Sequence, residues 1–258
     1  MLFSQPFSVS SRTHVAGIAA KGNPQGKILA ARISWSHKNI PDAPTLEISK
    51  RWAGLYEKSI RYFKENNVRV VNMSWAYSLR GYEYALAANG IGESEEERKA
   101  MAGEYFNIER DAFYNAMKNA PEILFITSAG NSNDDLDFSS SIPKSFDLPN
   151  LMQIGAVDIE GKATGFTTMG KGVDVYANGY EVESYVPGGN KQKFSGTSMS
   201  SPQVANLAGK IWAKYPGLNA MQVKQSIIKG AAPSGNNAEI LLINPKKSLE
   251  LAGNLVDN

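Results

Sequence analysis

Short apolar runs alternate with longer stretches of helical period along this chain, and no other feature of the sequence narrows the fold as much. The runs are residues 27–34, 68–74, 122–128 and 151–157. Each is too short for a stable helix and rich in aliphatic side chains, the pattern of strands buried on both faces. Residues 43–66 place Trp52, Leu55, Tyr56, Ile60 and Phe63 near one face with charges elsewhere, which predicts an amphipathic helix. Strand–helix alternation of this kind predicts an α/β fold, a largely parallel β-sheet with helices on both faces.

The remaining segments fit the same plan. Residues 13–20 read as a helix of small residues ended by Gly22 and Pro24. A longer excursion spans residues 79–119, with a capping box of Ser94 and Glu97 and an apolar stripe of Met101, Tyr105, Ile108, Ala112 and Ala116. The acidic run 93–97 is expected at a helix N-terminus from the dipole alone, so it reads as a solvated face and not a binding patch. Helices are also expected over 219–229, after the Pro216-Gly217 turn, and over 244–252.

A chain of 258 residues with 42% apolar content can bury one substantial core, and no repeat or low-complexity linker divides it. One domain over 13–258 is expected, preceded by an unpatterned, Ser-rich tail, 1–12. With 27 basic against 25 acidic side chains and no Lys/Arg block, the chain lacks the footprint of a nucleic-acid or membrane partner. The absence of Cys excludes disulfides, thiolate metal sites and cysteine catalysis. Residues 1–9 show no signal-peptide pattern, and no run of eighteen apolar residues occurs.

Chemistry is concentrated in the stretch 194–209. Gly196 permits a sharp turn, Thr197 or Ser198 suits an N-cap, and Val204, Leu207, Ala208, Ile211 and Trp212 recur at helical spacing. Ser198 therefore stands at a helix N-terminus, where unpaired N–H groups stabilise negative charge. It is either a plain cap or a nucleophile. In an open parallel sheet, ligands bind at the carboxyl ends of strands. One such end delivers Ser128-Ala129-Gly130-Asn131, whose amide is either a turn residue or an oxyanion donor that does not titrate. Another runs through Asn72-Met73-Ser74-Trp75-Ala76-Tyr77.

Gly-Thr-Ser-Met-Ser-Ser-Pro-Gln-Val-Ala from Gly196 resembles the nucleophile motif of the subtilisin-like serine peptidases, and Ser-Ala-Gly-Asn resembles their oxyanion-hole motif. The resemblance runs from Thr13 to about Ala231 and includes the C-terminal helix; Gln203 replaces the family's usual His and Asn178 its usual Pro. It implies a subtilisin-like fold with Ser198 as nucleophile and Asn131 and the Ser198 N–H as oxyanion donors. A polypeptide substrate would add as a β-strand between Ser74, Trp75, Ala76 and Tyr77 on one side and Ser128, Ala129 and Gly130 on the other. Ala76 and Tyr77 stand where the family has a Gly pair, so a crowded specificity pocket is expected. No cofactor and no metal are implied; Asp134, Asp135 and Asp137 read as a solvated loop. A secreted or periplasmic location is what the family implies for a complete member.

The resemblance breaks at the base. Where the family has His-Gly-Thr-His-Val-Ala-Gly, this chain has Ser11-Arg12-Thr13-His14-Val15-Ala16-Gly17. Ser11 takes the position of the catalytic His, and His14 matches the second, structural His. His37 reads as a surface-loop residue, and no Asp-bearing strand precedes His14. The expectation is a peptidase domain, N-terminally incomplete, whose first strand and triad Asp are missing and whose catalysis is strongly impaired. The alternative is a pseudopeptidase that binds extended peptides without cutting.

Overall fold

The computed structural model describes residues 9–31, 41–135, 140–235 and 237–256. The first half contains α1 (Val9–Ala20), α2 (Leu46–Glu65), β1 (Val70–Met73), β2 (Tyr77–Ser78), α3 (Leu79–Ala88), α4 (Glu95–Lys118) and β3 (Leu124–Ser128). It continues with β4 (Ser141–Ile142), β5 (Leu151–Val157), β6 (Val175–Asn178) and a hairpin of β7 (Val182–Tyr185) and β8 (Lys191–Phe194). Last come α5 (Thr197–Lys214), α6 (Ala220–Gly230), β9 (Ala232–Ser234), β10 (Asn237–Leu242) and α7 (Pro245–Asn254). Among the described residues no helix is long and apolar enough to cross a membrane.

The main sheet has the order β1-β3-β5-β6-β10-β9, parallel throughout except for the β10–β9 pair. Residues of β3 alternate between two cores, as the two-residue period of a strand requires. Leu124 and Ile126 pack with Val204, Leu207, Ala208 and Ile211 of α5, in a core that α6 and α7 extend. Phe125 points the other way, into a cluster with Tyr56, Ile60 and Phe63 of α2 and Phe106, Phe113 and Met117 of α4. Burying each such side chain contributes roughly 1.5–3 kcal/mol, so the central strand is fixed from both faces.

Several sequence expectations need correction. Residues 27–31 form no strand, and Ile28 is 57% exposed; residues 32–34, like His37 and Asp137, lie outside the described residues. A strand needs a paired neighbour, and along the outer edge of β1 there is instead a cavity of about 2030 Å³. Val70, Val71 and Asn72 line it on one side, residues 26–31 on another, with Trp212 of α5 and Tyr56 of α2 closing it. Helix α1 begins at Val9, so residues 9–12 belong to it and not to a tail; residues 1–8 lie outside the described residues. The buried stripe of α4 is Ala102, Phe106, Glu109, Phe113 and Met117, one residue on from the expected one. The expected stripe is its half-buried flank, because the larger Phe side chains set which face turns inward. Ser94 caps α4 through Glu97 N, but the Glu97 carboxylate accepts from Glu93 N and not from Ser94 N.

Candidate active site

Two strand ends and one helix start converge at the carboxyl edge of the sheet. Gly196, with φ 147° and ψ 159°, holds a conformation open essentially to glycine alone and is the N-cap of α5. Neither Thr197 nor Ser198 is the cap, as the sequence had suggested; they are the first two helical residues. Gly196 has no side chain with which to satisfy the first free N–H groups of the helix.

Asn131 does so from outside. Its Oδ1 accepts from Thr197 N at 2.8 Å and from Thr197 Oγ1 at 2.9 Å, while Thr197 Oγ1 accepts from Gly130 N at 3.3 Å. With Oδ1 committed as an acceptor, the opposite end of the amide presents its NH₂ group. Gly130 has φ 123°, and a Cβ there would meet Thr168 Oγ1 at 2.8 Å and the Lys144 ammonium at 3.0 Å. The Lys144 side chain is buried, which pushes its pKa down.

Ser198 is tied to the end of β1. Pro202 lies four residues on in α5 and has no N–H for the Ser198 carbonyl. Ser74 Oγ donates to that carbonyl instead, at 3.1 Å, and Ser198 Oγ donates to Ser74 O at 3.3 Å. Ser74 Oγ is itself fixed by Asn72 Nδ2 and Ser201 Oγ, both at 2.9 Å. Ser128 and Ala129 are buried and Gly130 half-buried along the facing strand end. Ala76 is exposed, whereas the Tyr77 ring turns inward against Trp75 with ring centroids 5.4 Å apart. The Tyr77 ring therefore lines the cavity beside Trp75, and Ala76 is the exposed residue of the pair.

His14 is fully buried and structural. Its Nε2 bonds Gln192 O at 2.9 Å, its ring stacks on Phe194 at 4.4 Å, and its carbonyl accepts from Ser184 Oγ at 2.8 Å. It thereby pins the β7–β8 hairpin that leads into Gly196. Ser11 is half-buried one turn back on α1, and its alcohol is no base at neutral pH. Gln203 donates to Asn178 O and Met199 O, linking the two positions at which the chain departs from the motif. Asp134 accepts from Thr168 Oγ1, and Asp135 bridges to Met169. Among the described residues neither an imidazole nor a carboxylate bonds the Ser198 hydroxyl. Sequence reasoning missed Thr197 as the residue that orients Asn131; its place directly before the serine was the available signal.

Comparison with known proteins identifies the family. A sequence model of the Subtilase family matches residues 13–250. Subtilisin DY of Bacillus licheniformis is 27% identical over 230 residues, 87% of this chain and 71% of that protein. Alkaline elastase YaB of Bacillus sp. (strain YaB) is 30% identical over 120 residues, 46% of this chain but only 30% of that protein's length. Among solved structures, a lanthipeptide protease superposes with a TM-score of 0.69 over 94% of this chain and 75% of its own, at 16% identity. The chain belongs to the subtilase family.

Proposed function

We propose that the complete protein is a serine endopeptidase of the subtilisin type and that the 258 residues here hold the nucleophile and oxyanion donors without a base. The observation that carries this reading is the bonded set Ser74–Ser198 and Thr197–Asn131, which fixes a hydroxyl and an amide on either side of one helix N-terminus. In the reaction, Ser198 Oγ adds to the scissile carbonyl, and the Asn131 amide and Ser198 N–H meet the oxygen as it becomes negative. The hydroxyl proton must leave at the same time. Ser11, at the position of the base, cannot take it, and Ser74 O is already a hydrogen-bond acceptor with no useful basicity.

On this reading the first strand would sit at the outer edge of β1, which among the described residues pairs with β3 alone. A parallel strand in the adjoining cavity would pair with Val70–Met73, cover the exposed edge and bring a carboxylate toward Ser198. In subtilisin itself, losing the His alone costs about a million-fold in kcat and leaves roughly a thousand-fold or more over water. Peptidase turnover by this chain is accordingly expected to be indistinguishable from that of a Ser198→Ala control. Turnover that Ser198→Ala abolishes would contradict the missing base. That no imidazole or carboxylate among the described residues bonds Ser198 also favours a second reading, a pseudopeptidase. Tight binding of extended peptides without cleavage, unchanged when a strand-bearing segment is supplied, would select it.

A further inference from the structure

Beneath the segment Trp75–Tyr77, the wall of the cavity holds a carboxyl group in an aromatic setting. Glu109 is 2% exposed and sits on the buried stripe of α4, between Phe106 and Phe113. Tyr56, Trp75, Tyr77 and Tyr82 line the same space, and Trp75, Tyr56 and Phe113 form a stack with centroid separations of 4.5 to 6.4 Å.

Glu109 receives a hydrogen bond from the Tyr82 hydroxyl. Among the described residues no lysine or arginine forms an ion pair with Glu109. Four arginines, Arg12, Arg51, Arg69 and Arg80, also line the cavity. Arg69 is held by Pro216 O and Leu218 O, and Arg12 acts on Tyr77. Two further polar atoms in the neighbourhood, Tyr56 Oη and Ser49 Oγ, are buried without a hydrogen-bond partner. A buried carboxyl without a cation is costly, and unpaired buried hydroxyls add to that cost. An aromatic wall with a carboxylate at its base is the arrangement that attracts an organic cation: the π faces and the charge act together, and an ammonium or guanidinium brings several donors for the waiting oxygens.

We propose that Glu109 is the specificity-determining residue of a subsite for a basic side chain, Lys or Arg, of a polypeptide seated along Ser74–Tyr77. The inference rests on the peptide-binding reading of that strand and adds the chemical class of substrate. Desolvation pushes the Glu109 carboxyl up to about 7 when the subsite holds no cation, and an entering ammonium would ionise it.

Fluorescein-labelled hexapeptides, alanine except for one position carrying Lys, norleucine or Glu, separate the possibilities by anisotropy on the full chain with Ser198→Ala. The expected result is about ten-fold or more tighter binding of Lys than norleucine at one position, with Glu weakest. Glu109→Gln, nearly isosteric, should bring the Lys and norleucine peptides within two-fold of each other while leaving norleucine affinity in place. Tyr82→Phe should reduce the preference part of the way, and circular dichroism reports whether each variant is folded. Equal binding of Lys and norleucine at every position, or a Lys preference that survives Glu109→Gln, overturns the subsite and leaves the peptide-binding reading standing. Failure of every peptide to bind overturns both.

Discussion

Ser74 and Ser198 exchange hydrogen bonds in both directions, each hydroxyl donating to the other's carbonyl, at 3.1 and 3.3 Å. The pair joins the segment that follows β1 to the first turn of α5. It exists because Pro202 removes the N–H that would otherwise claim the Ser198 carbonyl.

Ser74→Ala should therefore cost about 1–3 kcal/mol, since it leaves a carbonyl in a crowded site without a donor. Urea unfolding measures it. Pro202→Ala restores a helical donor to the same carbonyl, so the double variant should lose less than the sum of the single changes. Strict additivity would show that the two residues do not share that carbonyl.

Asn131 has two tasks that can be separated. Asn131→Asp keeps an oxygen for Thr197 N and adds negative charge at a helix N-terminus, so thermal stability should be kept or slightly raised. The NH₂ donor is lost, so a catalytically completed form should fall by about a hundred- to a thousand-fold in kcat. A large loss of stability, or full activity, contradicts the assignment of Oδ1 to Thr197 and of the NH₂ to the oxyanion.

Glu109 predicts a pH-dependent stability. Its folded-state pKa is raised from 4.5 to about 7 by burial. The folded chain thus holds that proton more tightly than the unfolded chain does. The contribution is fully present below pH 4.5 and is lost as pH rises through about 7. The span corresponds to roughly 3 kcal/mol. Asp174, also raised by burial, acts in the same direction, so the comparison that isolates Glu109 is with Glu109→Gln. Melting curves of the two should differ little at pH 4 and favour the variant at pH 8. A constant difference across the range would show that Glu109 is not titrating there.

The sheet, both flanking helix layers and the candidate nucleophile were legible because their signals are local: aliphatic runs, a helical period, and a ten-residue motif. The places where sequence reading failed depend on partners distant in the chain. Residues 27–31 have the composition of a strand but face a cavity where a strand would pair. The register of α4 was misread by one residue because Glu109, a charged residue on the core side, breaks the apolar pattern that would have placed it. Tyr77 packs its ring against Trp75 on the cavity side, an orientation that spacing in the sequence does not carry. The β7–β8 hairpin is mostly polar and exposed, and nothing in its own residues announces that His14 holds it from 178 positions away.

The central claim, that this chain keeps its nucleophile and oxyanion donors and lacks only the base and its orienting carboxylate, is tested most directly at Ser11. A fluorophosphonate probe reports the reactivity of Ser198, with Ser198→Ala as the blank. The chain as it stands should label at the blank rate with no inflection near neutral pH. Ser11→His should raise the rate roughly a hundred-fold, the ratio separating loss of the His from loss of the Asp alone in subtilisin, with a new inflection between about pH 6 and 7. Fast labelling of the unaltered chain, or no gain from Ser11→His in a folded protein, would contradict it.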